Sequence, residues 1–198
     1  VSLVEKLYPE FMPNLSTAKS PQQMLGSVIK SYFAQKLNKK PEDIIVVSIM
    51  PCTAKKFEAT RPEFAPNGVP DVDYVLATRE FGSLLRIKAV PLGNLAPQDY
   101  DKPLGLSTGA AVIFGASSGV MEAAVRTAYE LATKKALPKL DFTEFRGLQG
   151  VKDVKIDLDL PDGSKKTLRL AVANGMANVR SLLDKIKNKE VEFDFIEI

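Results

Sequence analysis

The sequence predicts an α/β fold, with a mostly parallel sheet flanked by helices and one antiparallel hairpin. Three observations carry that reading. Residues 44 to 50, IIVVSIM, form a near-continuous apolar run rich in β-branched side chains, as in a parallel strand buried on both sides. Apolar residues recur at helical spacing after Ser20, and a long helix starts near Gly119 with its charges placed to suit the helix ends. The stretch VKDVKIDLDLPDGSKKTLRLAVANG alternates on both sides of Pro-Asp-Gly-Ser, which reads as a hairpin.

In chain order, a Pro-punctuated opening leads to a helix with Ser20 as N-cap, Pro21 at its first position and Gln23 completing a capping box. Met24, Val28 and Tyr32, with Leu25, Ile29 and Phe33, are expected to make one broad buried face. After the strand at 44 to 50 come loops, a second strand in DVDYVLA (71 to 77) and a helix in TREFGSLLRIK (78 to 88). The small-residue stretch from Gly105 becomes a long helix near Gly119, with Glu122 in its positive first turn and Lys134 and Lys135 near its negative end. The hairpin follows, then a shorter helix, MANVRSLLDKIKN (176 to 188), and a final strand in VEFDFIEI. No repeat or low-complexity linker divides the chain.

Composition narrows the chemistry. At 198 residues, with 45% hydrophobic and 26% charged residues, the chain can bury a sizeable core. A net charge of +3, without basic runs interleaved with aromatics, argues against a nucleic-acid partner. The absence of histidine removes Ser-His-Asp and Cys-His catalysis and His-ligated zinc. One cysteine forms no internal disulfide, and such thiol economy fits a cytoplasmic compartment. No apolar run approaches the roughly 18 residues of a spanning helix, so no membrane partner is expected. The chain opens on Val and stops in a strand-like EFDFIEI, and both ends read as cut from something longer.

The one cysteine lies in SIMPCTAKKFEA (48 to 59). Cys52 falls just past the carboxyl end of a buried strand, where open α/β sheets place ligand sites. Thr53 to Glu58 can form a helical turn, which sets the sulfur at a helix amino end that favours thiolate. Lys55 and Lys56, three and four residues on, come round to the cysteine's side and suit an anionic ligand. Spacing alone equally fits a buried structural cysteine beside two solvated lysines.

MPCTAKKFEA resembles the second signature of the iron-only (FeFe) hydrogenases, in which Met-Pro-Cys is followed after two residues by Lys and three further on by Glu. NLSTAKSPQQM resembles the segment after that family's first cysteine signature. AVIFGASSGVMEAAVRTAYE resembles its Phe-Gly loop and following helix, and FIEI the strand leading into its third signature. These matches run through nearly the whole chain in the family's order. The resemblance implies that residues 1 to 198 are the central part of a two-lobed hydrogenase catalytic domain.

The same resemblance implies a cofactor, the H-cluster, joining a 4Fe-4S cubane to a diiron subcluster with carbon monoxide, cyanide and a bridging dithiolate. Cys52 matches one cubane ligand. The other three belong to the first and third signatures, which this segment lacks, so the cluster is not expected to be held by this chain alone. Lys55 matches the lysine that hydrogen-bonds an iron-bound cyanide, and Lys56 its solvated neighbour. Met50, Pro51, Gln22, Phe114 and Gly115 match residues lining the diiron pocket, although from the residues alone Met50 and Phe114 read as core. Ser16 matches a serine of the proton path, where the residues alone give an ordinary turn serine. One departure stands out: where the family usually has Gly-Gly before Val-Met-Glu, this chain has Ser118 and Gly119. Serine disfavours the positive φ that glycine accepts.

The implied function is reversible hydrogen oxidation and proton reduction, with dihydrogen and protons as reactants and electrons from a ferredoxin or nicotinamide-linked partner. The alternative is a non-catalytic relative, either a hydrogen sensor or an iron–sulfur assembly factor.

Overall fold

The computed structural model describes residues 1–106, 109–115, 118–135, 143–144, 150–159 and 163–198. They form two compact units, Val1–Gly105 and Leu106–Ile198. The first opens on α1 (Ser2–Leu7), which buries Val4. The Arg61 guanidinium grips Glu5 through two N–H donors at 3.2 and 2.7 Å, and this holds the Glu5 carboxyl below the usual glutamate range.

Helix α2 (Pro21–Val28) starts where the sequence places it, with Pro21 in the first turn and Ser20 Oγ accepting the Gln23 N–H at 3.4 Å. Only half of the expected capping box forms. The Gln23 side chain is fully buried, and among the described residues its amide meets no hydrogen-bond partner, so it does not reach back to the cap. The helix continues through a π-helical turn, Ile29–Phe33, into α3 (Ala34–Lys36).

The expected apolar face of this helix is not its buried one. Met24, Leu25, Val28 and Tyr32 are exposed, while Gln22, Gly26, Lys30 and Ala34, one every four positions, go inside. Close backbone approach and ion pairing override hydrophobicity here. A Cβ on Gly26 would sit 2.4 Å from the Asp71 carbonyl oxygen, a distance only glycine permits. The Lys30 ammonium is caged by the Ile44 carbonyl at 2.5 Å, the Pro41 carbonyl at 3.3 Å and the Asp73 carboxylate at 2.8 Å. Lys19 pairs with the buried Asp71 carboxylate at 2.5 Å.

Strands β1 (Val47–Met50) and β2 (Tyr74–Ala77) pair in parallel, Val47 opposite Tyr74 and Met50 opposite Ala77. β1 is shorter than the apolar run and is not buried on both faces, since Val47 and Ile49 are exposed. Its missing start has a cause: the Ile44 carbonyl is taken by Lys30, and the Val46 N–H by Asp73 Oδ2 at 2.7 Å. The short helix α4 (Ala54–Ala59) follows β1, and α5 (Thr78–Ile87) follows β2 directly. Glu80 Oε2 caps α5 by accepting the Ala77 N–H at 2.8 Å.

In the second unit a helical turn, α6 (Ala110–Ile113), precedes α7 (Gly119–Thr133), which begins at the expected residue and carries Glu122 in its first turn, paired with Arg126 at 2.7 Å. A mixed sheet runs in the order β3 (Thr143–Glu144), β4 (Val151–Asp159), β5 (Lys165–Ala173), β6 (Phe195–Glu197). β4 and β5 are the predicted antiparallel hairpin, with Val151 opposite Ala173 and Asp159 opposite Lys165, and β6 joins β5 in parallel. Pro161 and Asp162 of the expected turn lie outside the described residues; Gly163 adopts φ +82°. Met121 and Val125 of α7 pack on Ile156 and Leu158 of β4 and Leu170 and Val172 of β5, all on one face of the hairpin. Helix α8 (Met176–Lys187) buries Val179, Leu182 and Leu183 before the chain enters β6. The α/β class holds, with parallel pairs in both units and one long antiparallel hairpin.

Candidate functional site

Strand β1 ends at Met50, and Pro51 and Cys52 carry the chain to α4, whose N-cap is Thr53. Proline has no N–H to donate to a ladder, so the parallel pairing stops there. Cys52 is exposed, not packed in a core. Its carbonyl accepts the Lys55 N–H at 3.3 Å, and the Thr53 carbonyl accepts that of Lys56 at 3.1 Å, so the thiol stands just ahead of a helical turn, as the sequence implies.

Each of the two lysines is claimed by a carboxylate. Lys55 Nζ donates to Glu58 Oε2 at 2.9 Å, one turn along α4, with both side chains about three-quarters covered. Lys56, expected to be a solvated neighbour, instead pairs with Glu80 of α5 at 2.5 Å on the surface. That bond and the Ala77 N–H hold the Glu80 carboxyl below its ordinary range.

Glu58 Oε2 also accepts the Ser20 Oγ hydroxyl at 2.9 Å. The N-cap of α2 and the ammonium of Lys55 therefore share one carboxylate oxygen. Gln22, two residues on, is buried with both ends of its amide in use: Nε2 donates to the Lys55 carbonyl at 3.3 Å, and Oε1 accepts the Ser48 hydroxyl at 2.9 Å. Gln22 is a strut between β1 and the cysteine-bearing turn.

Met50 is half-buried and Pro51 exposed, on either side of the strand end. Ser16 is exposed, its Oγ accepting the Ala18 N–H at 3.1 Å in a local turn. Phe114 and Gly115 belong to the second unit, where Phe114 caps α6 and is exposed. The structure therefore brings together Met50, Pro51, Cys52, Lys55 and Gln22, and adds Ser20, Ser48 and Glu58. Glu58 was visible as the last residue of the Met-Pro-Cys pattern. Ser48 carried no signal, because a serine inside an apolar strand has no local partner.

Ser118, the departure from the glycine pair, holds φ +70° at the N-cap of α7 and makes no side-chain cap bond to that helix. A left-handed serine is strained where glycine is not. Ser118→Gly should raise the unfolding free energy of the second unit by up to about 1 kcal/mol in urea titrations. A loss of stability would show that the contacts of this buried hydroxyl outweigh the backbone cost.

Comparison with known proteins adds identity to this geometry. The chain matches the family described as "Iron only hydrogenase large subunit, C-terminal domain" over residues 1–198. It is 48% identical over 183 residues to the NADP-reducing hydrogenase subunit HndD of Solidesulfovibrio fructosivorans, covering 92% of this chain and 30% of that protein. It is 33% identical to the cytosolic iron-sulfur assembly component 3 of Pongo abelii, covering all of this chain and 42% of that one. A solved [FeFe]-hydrogenase HydA1 from Chlamydomonas reinhardtii superposes with a TM-score of 0.87 at 37% identity, covering 100% of this chain and 56% of that chain. The chain thus spans from 30% to 56% of the length of these relatives. It belongs to the family formed by the C-terminal domain of iron-only hydrogenase large subunits.

Proposed function

We propose that this chain is the central part of the catalytic domain of an iron-only hydrogenase, working in reversible hydrogen oxidation and proton reduction. The observation that carries this reading is the single turn presenting an exposed Cys52 thiol next to a Lys55 ammonium braced by Glu58. The donor set supports one share of a larger centre. The chain has one cysteine and no histidine, and no group of three His, Cys, Asp or Glu that could hold a metal ion occurs among the described residues. A cubane needs a full set of thiolates, so Cys52 fits as one of four, the others coming from polypeptide outside these 198 residues.

When bound, the H-cluster supplies redox-active iron at which electrons and protons are exchanged with hydrogen. Cys52 would ligate the cubane as thiolate. Lys55 would hold a cyanide as a compact point charge, a job for an ammonium rather than a planar fork. Met50 and Pro51, at the end of β1, would wall the pocket and exclude water. Ser16 Oγ, whose lone pair is used by Ala18, keeps its own proton for donation and would serve the proton path. The 48% identical relative is named an NADP-reducing hydrogenase subunit, which favours a nicotinamide-linked electron partner over a ferredoxin. No helix among the described residues is long and apolar enough to cross a membrane, and we place the protein in the cytoplasm on its thiol economy.

Loading the complete parent protein with iron–sulfur cluster and diiron cofactor tests the reading. Lys55→Ala is expected to lower cofactor retention and hydrogen evolution about 10- to 100-fold, the usual cost of losing an outer-sphere ligand partner. Undiminished iron content and turnover would remove the role given to Lys55. The likeness to an assembly component supports a second reading, a non-catalytic iron–sulfur protein. It predicts cluster binding with no hydrogen turnover even in the loaded wild type.

A further inference from the structure

Gln22 and Ser48 do not themselves carry charge or metal, yet they fix the residue that does. Ser48 sits on β1 with its hydroxyl donating to Gln22 Oε1 at 2.9 Å, and Gln22 Nε2 donates to the Lys55 carbonyl at 3.3 Å. A second chain of bonds reaches the other end of the same residue, from Ser20 Oγ through Glu58 Oε2 to Lys55 Nζ, both links 2.9 Å. Both chains pass through the first turn of α2, at Ser20 and Gln22, so the backbone and the ammonium of Lys55 are referenced to the same rigid element. We infer that Ser48 and Gln22 are positioning residues that hold the Cys52–Lys55 turn in place for its ligand, the Ser48 hydroxyl being the member that no motif marks. The inference rests on the role proposed for Lys55.

The chemistry explains why a serine stands inside an apolar strand. The Gln22 side chain is buried, and a buried amide oxygen left without a donor carries the full desolvation penalty of that group. The Ser48 hydroxyl satisfies that oxygen and thereby fixes which way the amide faces, so that the NH₂ end points to the Lys55 carbonyl. Without the hydroxyl the buried amide oxygen has no donor, and the side chain gains by swinging away from the Lys55 carbonyl to reach another donor or water. The turn then loses its tether to β1 while the Lys55–Glu58 pair survives.

The test compares Ser48→Ala, Ser48→Thr and Lys55→Ala in the full-length parent. Two readouts are used: the infrared cyanide stretches of the loaded protein, and hydrogen exchange of the amides of residues 54–59 in the cofactor-free protein. Ser48→Ala should shift the cyanide bands towards their positions in Lys55→Ala and speed exchange in α4 about tenfold, the equivalent of one buried hydrogen bond. Ser48→Thr, which keeps the hydroxyl, should restore both. If Ser48→Ala leaves bands and exchange unchanged while Lys55→Ala moves the bands, the positioning role is overturned and that of Lys55 stands. If Lys55→Ala itself leaves the bands unmoved, the cyanide contact fails and the proposal falls with it.

Discussion

Asp73→Ala is expected to destabilise the first unit by about 3–5 kcal/mol, the range for stripping one partner from a buried ion pair. The Lys30 side chain is 7% exposed and that of Asp73 15%, so the ammonium left behind is poorly solvated. The ammonium would keep two carbonyls, those of Pro41 and Ile44, which offer dipoles but no countercharge. The Val46 N–H, which donates to Asp73 Oδ2 at 2.7 Å, would lose its acceptor at the entrance to β1. The damage should therefore spread to the β1–β2 pairing on which the Cys52 turn is mounted. The double variant Lys30→Met/Asp73→Leu is expected to recover most of the loss, because removing both charges removes the desolvation cost with them. Urea unfolding of the four corners of this cycle measures the coupling. A single-variant loss below about 1 kcal/mol would mean that the pair behaves as a solvated one.

That ion pair also shows why the sequence misleads about α2. Counting apolar residues at helical spacing selects Met24, Val28 and Tyr32, a sound rule when a helix packs by hydrophobic burial. Here the helix is turned by Gly26, which meets the Asp71 carbonyl, and by Lys30 and Lys19, which meet Asp73 and Asp71. The partners lie 43 to 52 residues away in the chain, so no local pattern announces them. The elements that were legible are those whose order is local. The β4–β5 hairpin alternates, α7 carries Glu122 in its first turn and ends with Lys134 as its C-cap, and α5 begins directly after a short strand.

The candidate site divides the same way. Cys52 and Lys55 are legible because a strand end, a helix start and their spacing all fall within a dozen residues. The carboxylate that holds Lys55 is legible as Glu58, three residues on, but its second bond to Ser20 joins positions 38 residues apart. Gln22 could be placed near the site by resemblance, yet its use as a strut depends on Ser48, which only the fold brings into reach. Long-range hydrogen bonds between single polar residues leave no period, no spacing and no composition to read.

Gly119→Ala, the first residue of α7, is expected to cost about 3 kcal/mol or more, at or above the upper end for overpacking. The added Cβ would lie 1.8 Å from the Ile113 carbonyl oxygen, 2.7 Å from its carbonyl carbon and 3.1 Å from Phe114 Cα. All three are backbone atoms of α6 and its cap, so no side-chain rotation relieves the contact. Relief requires moving α6 away from α7 or shifting the start of α7. The second route also breaks the bond by which the Met121 N–H donates to Glu197 Oε2 at 2.6 Å, tying β6 to the helix start. Ser118, already left-handed, leaves the preceding residue little freedom to absorb the change. Gly82→Ala supplies the contrast. Gly82 lies within α5, and a Cβ there meets nothing within 4 Å, so alanine should stabilise by about 0.5–1 kcal/mol through helix propensity alone. The same chemical change thus has opposite signs at two helical glycines, and urea unfolding of the two variants reads both. Equal, small effects would mean that α6 does not press on α7 as closely as the 1.8 Å approach requires.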